Sequence, residues 1–147
     1  MGRAVPTPRV VVGYDGSPSS LAALVEAARR AGPEGRMFVV HAYAPPSEAL
    51  GWPLYESAAR DAAIGAREFV ARLHSHPALA DVQWTTEVIT GAAAEAIVAS
   101  ARNHDADAIF IGSQGAGRAR ALLGSVAHDV LHRADRPVTV VTERAAA

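Results

Sequence analysis

Short apolar runs alternate with amphipathic stretches along the whole chain. Arg9-Val10-Val11-Val12-Gly13-Tyr14, bounded by Pro8 and Asp15-Gly16, is an unbroken β-branched run and predicts a strand buried on both faces. Ser17 then offers an N-cap and Pro18 a first-turn proline. Leu21, Leu24, Val25 and Ala28 recur at helical spacing to about Ala31, where Gly32-Pro33 stops the helix. Arg36 to Tyr43 reads as a second buried strand, closed by Pro45-Pro46, because a proline pair cannot continue a ladder. A polar and aromatic segment follows. The next helix is predicted from about Tyr55 to His74, with Ala58, Ala62, Ile64, Ala66, Phe69, Val70 and Leu73 on its buried side. From Asp81 to Ile89, Val82, Trp84, Thr86 and Val88 alternate with Gln83, Thr85 and Glu87, which predicts one wet face and an edge strand.

The second half repeats the rhythm. A third helix runs from Gly91 to near His104, with Ala94, Ile97, Val98 and Ala101 on one side. Asp107 to Ile111 is a fourth strand, a glycine turn follows, and a helix from Ser125 to about Ala134 leads to a fifth strand, Pro137 to Val141. Strands alternating with helices define the α/β class: an open five-stranded parallel sheet, Rossmann-like, with helices on both faces and right-handed crossovers. No linker or repeat interrupts the pattern, so residues 1–147 are expected to form one domain, with its core over about 8–142. In such sheets ligands bind beyond the carboxyl ends of the strands, where strand order reverses. If the first and fourth strands are neighbours there, Asp15 lies beside the turn at 112–115.

Composition narrows the partners. The 147 residues carry 14 basic and 15 acidic side chains, all the basic ones Arg, so no basic surplus points to nucleic acid. No basic amphipathic helix points to a membrane surface, and no apolar run approaches the ~20 residues that span one. With no Cys there is no disulfide or thiol chemistry. The N-terminus shows no signal-peptide core, and the expected location is cytoplasmic.

The chemistry gathers at Ile109-Phe110-Ile111-Gly112-Ser113-Gln114-Gly115, followed by Leu122-Leu123-Gly124-Ser125-Val126. Glycines let backbone N–H groups approach an anion, and the helix beginning at Ser125 adds unpaired donors and partial positive charge. Arg118 and Arg120 lie between, and read either as partners for phosphate or as solvated loop charges. The Walker lysine of a P-loop cannot exist in a Lys-free chain. Gly115-Ala116-Gly117 lacks the third glycine of the dinucleotide fingerprint and follows the fourth strand instead of the first. In Gly112-Ser113-Gln114-Gly115 the serine stands directly after the first glycine, which is not a nucleophile elbow. No catalytic residue set is evident, so an enzyme is not expected.

Taken together, these stretches resemble the universal stress protein family over roughly Arg9 to Val141. The resemblance is carried by Val10 to Ser17 with the helix after it, Val39 to Tyr43, Val88 to Glu95, the two glycine segments just named, and Arg136-Pro137-Val138-Thr139-Val140-Val141. It implies strand order 3-2-1-4-5 and a homodimer built along the fifth strand, Val138 to Val141. It also implies ATP as ligand, possibly with Mg²⁺, and a regulatory or stress-response role with at most slow hydrolysis. By position, Gly112, Gly115, Gly124 and Ser125 would hold the phosphates, with Val126 beside them, and Asp15 and Ala42 would face the ribose and adenine. Tyr14, Ile111 and Arg118 complete the expected site; Asp15 reads equally as a turn former before Gly16. The family's nucleotide-binding pattern is Gly-x2-Gly-x9-Gly-(Ser/Thr), whereas eight residues separate Gly115 from Gly124 here. A dimer that meets partners and binds no nucleotide is the alternative this shorter loop allows.

Other residues have plainer readings. His128 and His132, at i and i+4, are expected as surface histidines without a third metal ligand. His41 is expected as a satisfied structural histidine. Leu50, Trp52, Leu54 and Tyr55, just past the second strand, read either as a lid packed on the core or as a gate or partner surface.

Overall fold

In a computed structural model of the chain, residues 5–114 and 123–143 are described. The triple valine builds the centre: Val10, Val11 and Val12 of β1 (Arg9–Gly13) have no exposed surface. Such burial contributes roughly 1.5–3 kcal/mol per side chain before entropy is counted. β1 pairs in parallel with β2 (Arg36–Tyr43) on one side and with β4 (Ala108–Gly112) on the other. β3 (Gln83–Thr90) adds outside β2, and β5 (Val138–Val141) outside β4, both parallel. The order is therefore β3-β2-β1-β4-β5, as the resemblance implies.

Period-2 alternation divides the core between the two faces of the sheet. Val10, Val12, Met37, Val39 and Phe110 pack under α1 (Pro18–Ala31), joined by Leu73 and Leu79 from beyond α2 (Leu54–Ala71). Val11, Phe38, Val40, Ile109 and Ile111 pack under α3 (Ala93–Asn103) and α4 (Ser125–Arg133). α2 is the most weakly embedded helix, with only Ala66 and Val70 buried. Ile64 is exposed, contrary to the sequence reading. At ~100° per residue it stands half a turn from both Ala62 and Ala66.

Other boundaries move slightly. α2 stops at Ala71, and a 3₁₀ turn (Arg72–Ser75) buries Leu73 in place of further α-helix. β3 begins at Gln83 because the chain before it is still turning, with the Val82 N–H donating to the Leu79 carbonyl at 3.4 Å. As expected, β3 is an edge strand, yet Glu87 on its polar register is half-buried, hydrogen-bonded to His104. That imidazole in turn stacks on Phe38 with centroids 3.7 Å apart.

Candidate functional site

β1 and β4 end side by side. β1 leads into α1 on one face, while α4 lies on the other, and this divergence opens a crevice. The result is a cleft of ≈580 Å³ including its open mouth. The exit of β1 contributes Gly13, Tyr14 and Asp15, and β2 contributes Val40 and Ala42. Ile111, Gly112 and Gln114 come from the exit of β4, and Gly124, Ser125 and Val126 from the start of α4.

The helix starts around this cleft differ in a chemically useful way. α1 is capped by its own sequence: the Ser17 hydroxyl accepts from the Ser20 N–H at 3.2 Å. α4 has Gly124 at its N-cap and no side-chain cap. Its first N–H groups, Ser125 to Ala127, are those an α-helix leaves without internal partners, and these residues line the cleft. α3 likewise starts without a side-chain cap, and Ala93 of its first turn also lines the cleft. Two uncapped helix starts therefore direct partial positive charge at one space.

Close approach explains the glycine at the end of β4. A Cβ on Gly112 would stand 2.5 Å from Ser19 Oγ and 2.6 Å from the Ser20 backbone nitrogen, so any larger residue would force α1 off the sheet. On the far side, the Gly124 N–H donates to the Ser113 carbonyl at 2.7 Å, tying the start of α4 to the end of β4.

Asp15 is exposed, and its Oδ1 accepts from the Ser17 N–H at 2.9 Å. This is the Asx turn that brings the chain from β1 into α1. Gly16 completes it at φ +81°, and a Cβ there would also strike the Phe69 ring at 2.7 Å. Tyr14 lines the cleft, and its ring stacks on Phe69, centroids 5.5 Å apart. Burial raises the phenol's pKa above its ordinary 10.0, the Asp15 carboxylate raises it further, and Arg72 pulls it back. The phenol therefore stays neutral at physiological pH. His41 Nδ1 lies 2.9 Å from the Tyr14 carbonyl, which satisfies this half-buried ring as the sequence reading expects.

Of the residues singled out from the sequence, Tyr14, Asp15, Ala42, Ile111, Gly112, Gly124, Ser125 and Val126 meet around this one cleft. Gly115, Arg118, Arg120 and Leu122 lie outside the described residues. Sequence reasoning missed Gln114, Ser17, Ser20, Ala93 and Ile97 as cleft residues. The first three adjoin motifs already noted, so proximity was a usable signal. Ala93 and Ile97 gave none, because only packing brings α3 to the ends of β1 and β4.

Away from the cleft, His128 and His132 stand exposed on α4 with ring centroids 4.4 Å apart. Among the described residues no three His, Cys, Asp or Glu side chains gather as a metal site. Nor is any described helix long and apolar enough to cross a membrane. Leu50, Trp52 and Leu54 form no lid packed on the core; Trp52 is 74% exposed.

Strand order and crevice define a doubly wound, Rossmann-like α/β protein that opens its cleft at the topological switch point. Comparison with known proteins then gives the family. The sequence profile of the universal stress protein family matches residues 6–142, and the chain belongs to that family. It is 34% identical over 135 residues to the "universal stress protein in QAH/OAS sulfhydrylase 3'region" of Thermus aquaticus, covering 90% of this chain and 96% of that one. Among solved structures, universal stress protein UspA from Lactobacillus plantarum is similar with a TM-score of 0.75 at 20% identity, covering 94% of this chain and 99% of that one. A universal stress protein in complex with cAMP is 28% identical, with a TM-score of 0.63 and coverage of 93% and 98%.

Proposed function

We propose that this protein is a nucleotide-binding regulatory dimer of the stress-response type, with ATP as its ligand. One observation carries the reading: two uncapped helix starts and the glycine exit of β4 converge on a single cleft beside the Asp15 turn. The relative crystallised with cAMP, at 28% identity, supports a nucleotide as occupant. Gly112, Gly124 and Ser125 would present backbone N–H groups to phosphate, with Val126 and Ile111 beside them, and Gly115 and Arg118 would contribute from the intervening loop. Asp15 would accept from ribose hydroxyls, while Tyr14 and Ala42 would border the sugar and base. Any Mg²⁺ would travel with the phosphates, because the described residues assemble no cation site of their own. Among the described residues no general base stands paired with a nucleophile in the cleft, which supports a reading with slow hydrolysis at most.

The loop spacing favours a second reading, a dimer that contacts partner proteins with the nucleotide site closed. Calorimetric titration with ATP separates the two. Wild type should show saturable binding, and Gly124→Val should weaken it by about tenfold or more, ~1.4 kcal/mol, by crowding the phosphate seat. No saturable binding at millimolar ATP would reject the nucleotide reading in favour of the second.

A further inference from the structure

We propose that Ser19 is a positioning residue of the cleft: its hydroxyl sets the geometry of the Gln114 wall without lining the cleft itself. The assignment rests on the nucleotide reading above. Ser19 is 5% exposed in the first turn of α1, 95 residues away from Gln114 in the chain. Its Oγ donates to the Gln114 carbonyl at 2.5 Å and accepts from the Gln114 N–H at 3.2 Å. One hydroxyl thus meets both backbone groups of one residue, as the peptide of a neighbouring strand would. The Ser17 hydroxyl donates to the same carbonyl at 3.3 Å.

The location gives this contact its consequence. The register of β4 with β5 ends at Gly112 opposite Val141, and the Ser113 N–H still reaches the Val141 carbonyl at 2.9 Å. At Gln114, the next residue, α1 side chains meet the backbone from the β1 side. Two hydroxyls on the Gln114 carbonyl and one on its N–H hold the Gln114 backbone in place. Gln114 lines the cleft, so holding its backbone fixes part of the surface a ligand meets. The bare Gly112 makes the arrangement possible, since a Cβ there would stand 2.5 Å from Ser19 Oγ. Gln114 is half-buried, so water can reach its backbone when the hydroxyl is removed. Losing Ser19 Oγ should therefore disturb the cleft far more than the fold.

The test compares wild type and Ser19→Ala in three measurements: ATP titration, melting without nucleotide, and amide hydrogen exchange by NMR. Two lost hydrogen bonds to a cleft-lining residue should raise the Kd about tenfold. The nucleotide-free Tm should fall by only a few degrees. Exchange at the Gln114 amide should accelerate while Ile109 to Ile111 keep their protection. An unchanged Kd, with or without a drop in Tm, would overturn the assignment and leave Ser19 a merely structural residue. Absence of ATP binding by wild type would overturn the nucleotide reading and this assignment with it. Binding by wild type that Ser19→Ala leaves unaltered would overturn this assignment alone. If Ser19→Ala shows no cooperative unfolding, Ser19→Cys replaces it, since a thiol of similar size hydrogen-bonds weakly and should lose affinity likewise.

Discussion

At the scale of single residues, the serines of α1 and α3 behave in opposite ways. Ser17, Ser19 and Ser20 are buried and all hydrogen-bonded, and between them they cap α1 and hold the exit of β4. Ser100, 2% exposed on α3, has no partner for its Oγ among the described residues. A buried hydroxyl without a partner costs about 1–3 kcal/mol, and alanine is also the better helix former. Ser100→Ala should therefore raise stability by about 1 kcal/mol, read as a higher urea midpoint with an unchanged m-value. A lower midpoint would mean that the hydroxyl is satisfied after all. These roles were only half legible in the sequence. Ser17 before Pro18 announces a cap by itself, whereas the partners of Ser19 and Ser100 depend on which distant segment packs against them.

At the scale of elements, the joint between α3, α4 and β5 is held by charge. The Arg136 guanidinium donates to the carbonyls of Ala101 at 2.7 Å and Ala106 at 2.9 Å, closing the end of α3. Asp135 braces it at 2.9 Å and also faces Arg102 at 3.3 Å. The hydrogen bond from Arg136 holds the Asp135 carboxyl below its ordinary 3.8; desolvation opposes it, and the hydrogen bond from Arg102 and the charge of Arg136 add to the lowering. A carboxylate with a depressed folded pKa stabilises above its unfolded pKa, and that contribution fades as pH falls through the folded value. Urea midpoints of wild type should thus exceed those of Asp135→Asn at pH 6, with the gap closing as pH falls below the carboxyl's ordinary 3.8. The gap should also shrink in high salt, because the pair is exposed. A gap that widened on acidification would contradict this origin. Periodicity placed every strand and helix of this region within a few residues. It could not place the Arg136 bonds, which join positions 30 and 35 residues apart.

For the whole molecule, the sheet ends in two edge strands, β3 and β5. β5 is short, with Val138 and Val140 half-buried, and an apolar edge of this kind is a pairing liability unless covered. A second copy docked along β5 would cover it. Light scattering should then report about twice the 15.3 kDa of one chain, and Val140→Arg should shift the particle towards monomer. A wild-type monomer at micromolar concentration would count against this interface. The alternation of apolar runs with amphipathic stretches was sufficient to determine an α/β chain with its strands and helices in order, because that pattern reports local period and burial. The sequence also marked Asp15 and Gly124, whose turn and capping roles are local, and it marked Gly112, although the approach of α1 that requires a glycine there is tertiary. Only the tertiary structure decided that α3 and α4 both begin uncapped at the ends of β1 and β4, and that Ser19 grips Gln114. Those contacts join segments far apart in the chain, and their geometry comes from packing across the two faces of the sheet.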